Sequence, residues 1–313
     1  MNNKNPKSVA ALPYAKAICY SGYRDGQSPE TDALPTYDEV KQDLLILKGQ
    51  WQSLRLYASD AHSETVLDVI DKENMPFDVM LGAYITAELS NPECPWGADY
   101  SAEELKKNKA HNQTEITKLI SLANTYNNIV SSVSIGNEAS VSWTDHMVPV
   151  ESLCDYAKRL KSSVSQPVTF CENYVPWLDK LKPLVDEIDF ISIHTYPVWE
   201  YKTIQEGLSY TIDNYNAVAH AYPDVQVVIT EAGWATKSND QGIDADKVNE
   251  VYQKQYFQQL MDWAQQEQVL IYFFEAFDES WKGSSDPLEP EKHWGLYKTD
   301  RTPKLAMDTR AQG

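Results

Sequence analysis

The sequence is short of positive charge. Its 313 residues hold 27 Lys and Arg against 46 Asp and Glu, which gives a net charge of −19. Proteins that bind nucleic acid hold its phosphates with clustered Lys and Arg, so this balance argues against a nucleic-acid partner. Anionic membrane surfaces are disfavoured for the same reason. No run of about 18 apolar residues occurs, so a membrane-spanning helix is not expected.

Cysteine and glycine motifs are missing too. The four cysteines show no C-x-x-C spacing and no histidines at ligand distance, which argues against a zinc cluster or a redox motif. Free thiols are favoured over disulfides for Cys19, Cys94, Cys154 and Cys171. A glycine-rich phosphate loop is also absent, which weakens a nucleotide-binding interpretation. The sequence therefore predicts neither a metal site nor an organic cofactor.

The first residues are polar. Met1-Asn-Asn-Lys-Asn-Pro-Lys contains no apolar segment of the kind that export signals carry. This start fits either a cytoplasmic protein or a chain from which an export signal has been removed. Residues 1–14 are predicted to be an N-terminal tail, and residues 15–313 a single domain.

Short apolar runs rich in strand-forming residues alternate with longer amphipathic stretches from residue 17 to about residue 274. This rhythm predicts parallel strands joined by helical crossovers, and both a closed barrel and a doubly wound open sheet produce it. Eight such units favour closure, so the predicted fold is a single-domain α/β protein, a (β/α)8 TIM barrel. The predicted strands are Ala17–Tyr20, Ser53–Tyr57, Asp78–Ala83, Val133–Gly136, Val168–Phe170, Phe190–Ile193, Val227–Thr230 and Leu270–Phe274.

Three helices have recognisable sequence signals. Thr36-x-x-Glu39 and Ser101-x-x-Glu104 both match the capping box that opens a helix, and a third amphipathic stretch follows Asp246. Two long connections, Asn91–Tyr100 and Asp278–Glu291, follow strands three and eight. They are expected at the carboxyl face of the barrel, where barrel enzymes form their active sites.

Two glutamates stand at the ends of strands. Glu138 ends Val133-Ser-Ile-Gly-Asn-Glu138 just past strand four, and Glu231 follows strand seven in Val228-Ile-Thr-Glu231-Ala-Gly-Trp234. Hydrolysis of a glycosidic bond needs two carboxyl groups, one to protonate the departing oxygen and one to attack the anomeric carbon or activate water. A barrel would place both over its mouth. Asn137 could then bind a sugar 2-hydroxyl and Trp234 could stack on a pyranose ring.

These segments resemble glycoside hydrolase family 17, and the resemblance covers nearly the whole chain. Its landmarks are Tyr20-Ser-Gly-Tyr-Arg-Asp-Gly-Gln-Ser-Pro29, Leu54-Arg-Leu-Tyr57, Ile135-Gly-Asn-Glu138, Thr230-Glu-Ala-Gly-Trp234, Phe273-Phe-Glu-Ala-Phe-Asp-Glu-Ser-Trp-Lys282 and Glu291-Lys-His-Trp-Gly-Leu-Tyr297. Ile-Gly-Asn-Glu alone is shared across a wider clan of (β/α)8 enzymes. Its combination with Glu-Ala-Gly-Trp and Phe-Asp-Glu-x-x-Lys is specific to the family.

The resemblance implies that Glu138 is the general acid/base and Glu231 the nucleophile of a retaining enzyme. The acid must hold its proton near neutrality while the nucleophile stays ionised, so the two carboxyls need different surroundings. We expect apolar or anionic groups beside Glu138. For Glu231 we expect hydrogen bonds from Arg55 or Tyr196.

Further residues, Arg55 among them, are predicted to bind the sugar chain. Glu279 and Lys282 match an acidic and a basic residue of the family that hold sugar hydroxyls, although a surface salt bridge explains the same spacing. His194 is interpreted as a residue of the barrel lip rather than a proton shuttle. Aromatic candidates for the cleft wall are Tyr20, Tyr57, Tyr84, Tyr196, Trp199, Trp234, Phe277, Trp281 and Trp294, of which Trp234 and Phe277 fall within family-matching motifs.

The predicted activity is endo-hydrolysis of a β-1,3-glucan polysaccharide or oligosaccharide through a covalent glycosyl-enzyme. A β-1,3-glucanosyltransferase would use the same two glutamates, and a mixed-linkage β-1,3/1,4-glucanase remains open as well. A non-catalytic glucan-binding barrel would be expected to lack one of the carboxylates. Because polymeric glucan is met outside the cell, a secreted or periplasmic protein is expected, acting as a monomer.

Overall fold

The computed structural model describes residues 11–31 and 33–308. Most of the predicted tail, residues 1–10, therefore lies outside the described residues. The backbone amide and carbonyl of Leu12 each form a 2.8 Å hydrogen bond with the side-chain amide of Gln226. These bonds join the start of the described chain to the barrel.

Eight parallel strands close into a barrel in sequence order, and strand eight pairs back to strand one through Ala17 and Tyr272. This confirms the predicted (β/α)8 fold. The strands are β1 (Lys16–Cys19), β2 (Ser53–Leu56), β3 (Asp78–Gly82), β4 (Val130–Asn137), β5 (Val168–Asn173), β6 (Ile191–His194), β7 (Val227–Ala232) and β8 (Ile271–Phe273).

Helices cover the outside of the barrel. They are α1 (Tyr37–Leu47), α2 (Ala61–Lys72), α3 (Ala102–Thr125), α4 (Val150–Lys161), α5 (Tyr174–Trp177), α6 (Lys182–Val185), α7 (Ile204–Ala221) and α8 (Glu250–Glu267), with 3-10 turns at Ala245–Lys247 and Pro290–Lys292. Among the described residues, no helix combines the length and apolar character needed to cross a bilayer.

Both predicted capping boxes are present. Thr36 caps α1 through Glu39, and Ser101 caps α3 through Glu104. The third predicted helix begins later than the sequence suggested: Asn249 caps α8, after a separate 3-10 turn at Ala245–Lys247. Asn249 accepts the amide of Tyr252 at 2.8 Å, the type of bond that starts a helix.

Several strands extend further than predicted towards the mouth of the barrel. β5 continues to Asn173, and β7 continues to Ala232, so that Glu231 lies within β7 rather than after it. In the register of β6 and β7, His194 stands opposite Glu231. The strand ends therefore carry side chains that local sequence would assign to loops.

The barrel interior and the space between strands and helices form one apolar core. All four cysteines are buried and free, as expected from their spacing. Cys19 on β1 stands opposite Arg55 on β2, whose side chain is buried, so a guanidinium group lies inside the barrel. A buried charge of this kind needs partners, and those partners lie at the mouth.

A buried ion-pair network holds the cleft side of β1 in place. Asp43 on α1 is fully buried and accepts hydrogen bonds from Arg24 at 3.0 Å and from Arg301 at 2.6 and 2.8 Å. It also accepts the hydroxyl of Tyr20 at 3.3 Å. Asp43 thereby ties α1 to the loop after β1 and to the C-terminal segment.

We expect Asp43→Ala to destabilise the fold strongly, because it leaves the buried guanidinium of Arg301 without its anion. Removing one partner of a buried pair costs about 3–5 kcal/mol in the free energy of unfolding. Urea unfolding followed by circular dichroism measures the change. Asp246→Ala, at an exposed carboxylate, serves as the control. Equal midpoints for the two variants would contradict this role.

Candidate active site

The two predicted glutamates meet at the mouth of the barrel. Glu138 directly follows β4 and Glu231 lies near the end of β7. One carboxylate oxygen of each, together with a ring nitrogen of His194, lies within 4.8 Å of the others. Such a separation is close to the value of about 5–5.5 Å typical of retaining glycosidases, and well below the roughly 6.5–9.5 Å of inverting ones.

Glu138 has an unusual backbone conformation. Its φ angle is +44°, in the left-handed region that side chains other than glycine rarely adopt. The amide of Glu138 donates to the carbonyl of Cys171 on β5 at 2.9 Å, which fixes the start of the turn. Outliers of this kind persist only where the surroundings impose them, and they cluster at functional sites.

Glu231 is surrounded by donors. Arg55 donates to one carboxylate oxygen at 2.6 Å and Tyr57 donates to the same oxygen at 2.9 Å, while Tyr196 donates to the other at 2.6 Å. The expected bonds from Arg55 and Tyr196 are thus both present. Burial opposes ionisation, but the charges of His194 and Arg55 and these hydrogen bonds outweigh it and lower the pKa of Glu231.

His194 lies between the two glutamates. Its Nδ1 is 2.8 Å from Glu138 Oε1 and 3.3 Å from Glu231 Oε2, and the side chain is fully buried. Burial alone would lower the pKa of His194, but the charge of Glu231 and contacts with Cys171 and Glu138 raise it to about 10. The residue lies at the barrel lip, and there it contacts both glutamates.

Arg55 links the site to the barrel interior. Besides Glu231 it donates to Asn137 Oδ1 at 2.5 Å, which orients the amide next to Glu138. Burial would raise the pKa of the Cys171 thiol, but the neighbouring charge of Arg55 and contact with His194 lower it to about 7. Arg55 therefore acts from beneath the site, and it does not line the cleft as a predicted sugar-binding residue would.

Glu138, His194 and Glu231 also have the donor types that bind metal ions. A histidine must be neutral to coordinate a metal ion. The pKa of His194 is raised to about 10, which favours its protonated form. Two cations, Arg55 and His194, already face the carboxylates. The arrangement suits charge-assisted hydrogen bonds better than a cation site.

A cleft of about 1110 Å³ opens above the glutamates. Asn137, Glu138, Glu231 and Lys282 line it, and so do most of the predicted aromatic residues, namely Tyr20, Tyr57, Tyr84, Tyr196, Trp199, Trp281 and Trp294. Many of these rings contact each other, for example Tyr196 and Trp294, whose centroids are 5.1 Å apart. The cleft thus offers apolar faces beside carboxylates, the combination that a pyranose ring requires.

The prediction that Trp234 and Phe277 stack on sugar rings is wrong. Trp234 is fully buried, packs against Tyr256 of α8 and donates its indole N–H to the carbonyl of Lys247 at 3.0 Å. Phe277 is 1% exposed and lies beneath the guanidinium of Arg301, 4.5 Å from its ring centroid. Both rings support the loops of the mouth from behind and do not reach the cleft.

The predicted pair of Glu279 and Lys282 divides between core and cleft. Lys282 bridges Glu275 at 2.6 Å and Glu279 at 2.8 Å, and only Lys282 lines the cleft. Glu279 is fully buried and accepts the amide of Tyr23 at 3.1 Å. It therefore cannot hold sugar hydroxyls directly, and the pair is a buried network rather than a surface salt bridge.

Sequence reasoning missed three residues of the mouth. Trp96 and Trp143, on the loops after β3 and β4, line the cleft with 67% and 39% of their surface exposed. Glu172 on β5 is a fully buried carboxyl that contacts the turn after Glu138. The Pro- and Gly-bearing segment around Trp96 signalled a mouth loop, but nothing local distinguishes Glu172 from an ordinary strand residue.

Comparison with known proteins identifies the family. Residues 17–295 match the family described as the BtgE/BtgC glycoside hydrolase domain. The chain belongs to this family. The match covers most of the chain and includes both glutamates of the site, and it confirms the kinship that the sequence motifs indicated.

Curated relatives are fungal glucanases. A glucan 1,3-beta-glucosidase of Candida albicans is 28% identical over 165 residues, which is 49% of this chain and 52% of that protein. The chain thus matches about half the length of this relative. A glucan 1,3-beta-glucosidase of Arthroderma benhamiae is 23% identical over 87% of this chain and 85% of its own.

Solved structures show the same fold. An endo-laminarinase from Formosa Hel1_33_131 superposes with a TM-score of 0.80 at 24% identity, covering 96% of this chain and 86% of that one. A family 17 β-1,3-glucanosyltransferase from Rhizomucor miehei superposes with a TM-score of 0.72 at 22% identity, covering 93% and 96%.

We expect Arg55→Met to move the acid limb of the pH–rate profile to higher pH. Arg55 helps to lower the pKa of Glu231, so without it the carboxyl ionises only at higher pH and turnover is lost earlier as the solution is acidified. Loss of a preorganised charge at a reacting group costs about 100-fold in kcat. Profiles of kcat/KM on laminarin measure the shift.

Arg55→Lys is the matched control, because it keeps a positive charge beside Glu231. Its acid limb should lie closer to that of the unmodified protein. An unmoved limb in Arg55→Met would contradict the electrostatic role of Arg55.

Proposed function

We propose that this protein is a retaining glycoside hydrolase of β-1,3-glucan, with Glu138 as general acid/base and Glu231 as nucleophile. The single observation that carries the proposal is the approach of the two carboxylates to within 4.8 Å around His194. Membership of a glycoside hydrolase family and the names of the curated relatives support the substrate.

The surroundings of the two carboxylates suit different roles. Glu231 is held ionised by Arg55, Tyr57 and Tyr196, so it can attack the anomeric carbon as that carbon loses its bond to the leaving oxygen. Glu138 is more open, with 27% of its side chain exposed, and among the described residues its carboxylate has one hydrogen bond, to His194. It can therefore pass its proton to the leaving oxygen and later exchange with water.

The second half of the reaction reverses these roles. Glu138, now ionised, takes a proton from water, and the resulting hydroxide attacks the anomeric carbon and displaces Glu231 as a carboxylate. Asn137, oriented by Arg55 beside Glu138, is suited to bind the 2-hydroxyl of the sugar at the cleavage point. Each carboxylate ends the cycle in the state in which it began.

An open cleft supports attack within a chain. Aromatic rings line it near each glutamate: Trp294 packs against Tyr196, which binds Glu231, and Trp199 packs against Trp294, while Trp96 and Trp143 line a recess with Glu138. A glucan chain can lie along such a trough, whereas an exo-acting enzyme usually closes one end. We therefore infer endo-action.

The aromatic side chains on the Glu138 side of the cleft favour glucanosyl transfer as the second candidate activity. Because Glu138 protonates the leaving group, the leaving or accepting sugar lies on its side of the cleft. Asn91 donates to the carbonyls of Ser142 at 2.8 Å and Thr144 at 2.7 Å, one on each side of Trp143. These two hydrogen bonds fix the backbone around Trp143. The Trp143 ring can then bind an acceptor sugar, which competes with water for the glycosyl-enzyme.

We further infer that the protein works outside the cytoplasm or in the periplasm, because a polymer such as β-1,3-glucan is met there, and that it acts as a monomer, since the barrel holds every proposed catalytic group. Size-exclusion chromatography with light scattering tests the second point.

Glu138→Ala should lose about 100-fold or more in kcat on laminarin, the usual share of a general acid. On 2,4-dinitrophenyl β-laminaribioside, whose leaving group needs no proton, the variant should form the glycosyl-enzyme and then stall. Sodium azide should restore its turnover and yield a β-glycosyl azide, while leaving the unmodified protein unaffected. Absence of rescue would remove Glu138 from the acid/base role.

Product analysis distinguishes the two candidate activities. Time-resolved chain lengths from laminarin should show internal cleavage, with products of several sizes appearing together. Trp143→Ala should lower any fraction of products longer than the starting oligosaccharide. Release of glucose alone from the first minutes would contradict endo-action, and preferential cleavage of barley mixed-linkage glucan would contradict the β-1,3 assignment.

A further inference from the structure

Glu172 is a buried carboxyl that the reaction above does not use. It lies on β5 next to Cys171, whose carbonyl accepts the amide of Glu138, and none of its surface is exposed. Burying a carboxyl away from water is costly unless it is well hydrogen-bonded, so its position needs a reason.

Two of the three described hydrogen bonds to the Glu172 carboxylate come from the turn that carries Glu138. One oxygen accepts both the amide and the hydroxyl of Ser140, each at 2.8 Å, and the other accepts the amide of Asn173 on β5 at 2.7 Å. Ser140 stands two residues after Glu138 and is itself buried. Together with the bond from the Glu138 amide to Cys171, the contacts with Ser140 hold both ends of a segment whose first residue, Glu138, has a φ of +44°.

Glu172 and Glu138 also interact through their charges. Burial, and next the charge of Glu138, raise the pKa of Glu172 to about 7, while Ser140, Asn173 and His194 act in the opposite direction.

Other charges face Glu138 from every side of the mouth. His194 from β6 and His146 from the loop after β4 are cations when protonated, whereas Glu231 from β7 and Glu291 from the segment after β8 are acidic. Glu172 is the acidic group that reaches the same turn through hydrogen bonds, from the strand directly beside β4.

We propose that Glu172 is a positioning residue for the acid/base: its carboxylate fixes the strained turn of Glu138 through Ser140 and so orients the Glu138 carboxyl towards the leaving oxygen. The proposal rests on the proposed function and adds a group that touches neither the sugar nor the anomeric carbon. Glu172 acts through its hydrogen bonds to Ser140.

The test is Glu172→Gln, compared on two substrates. Laminarin has a sugar leaving group that needs a proton, whereas the fluoride of β-laminaribiosyl fluoride departs without one, and kcat/KM on the fluoride reports glycosylation only. We expect kcat/KM on laminarin to fall about 10- to 100-fold, because a misplaced Glu138 protonates the leaving oxygen poorly. On the fluoride the loss should stay within about twofold.

Two further variants keep the test decisive. Ser140→Ala removes one hydrogen bond to Glu172 and keeps its charge, so it should give a smaller loss with the same preference for the fluoride, and it carries the test if Glu172→Gln does not fold. Glu88→Gln is the matched control, since Glu88 is a buried carboxyl bonded to Ser152, Asn112 and Tyr156 outside the cleft. Glu88→Gln should leave the ratio of kcat/KM on laminarin to kcat/KM on the fluoride unchanged.

Equal losses on both substrates would make Glu172 a structural residue only and overturn the proposal, as would full activity of Glu172→Gln on laminarin. Failure of the proposed function gives a different result, because the unmodified protein would then hydrolyse neither laminarin nor the fluoride.

Discussion

The contact between Arg55 and Glu231 is the constraint on which the mouth of the barrel depends. A guanidinium with 2% of its surface exposed needs an anion, and Glu231 supplies it at 2.6 Å from the end of β7. The same arginine orients Asn137 beside Glu138, so one side chain on β2 sets the positions of groups on β4 and β7. Because barrel closure brings β2 within reach of both strands, this bridge cannot form in an open sheet.

The glutamates of the site differ in their charged neighbours. Arg55 and His194 bring two positive charges into a region where Glu231, Glu138 and Glu172 are the acidic groups. Burial opposes the ionisation of Glu231, but the charges of His194 and Arg55 lower the pKa of that carboxyl. Burial and the charge of Glu138 instead raise the pKa of Glu172 to about 7. Two chemically identical buried glutamates thus acquire opposite pKa shifts from their neighbours.

Local signals predicted the strands, the two capping boxes and both glutamates, because periodicity and helix caps depend on neighbouring residues. They failed for Trp234 and Phe277, whose burial is decided by α8 and by Arg301, far away in the sequence. His194 and Glu172 gained their importance only from pairing across β6–β7 and β4–β5. A sequence shows which residues end a strand. The residues that face them on neighbouring strands depend on the register between the strands.

The central claim is that Glu231 attacks the anomeric carbon, and trapping the covalent intermediate tests it most directly. The protein would be incubated with 2,4-dinitrophenyl 2-deoxy-2-fluoro-β-laminaribioside, digested, and the labelled peptide sequenced by mass spectrometry. The account predicts one fluorosugar per chain, bonded to Glu231. A label on Glu138, Glu172 or any other residue, or release of fluorosugar with inverted configuration and no label, would contradict it.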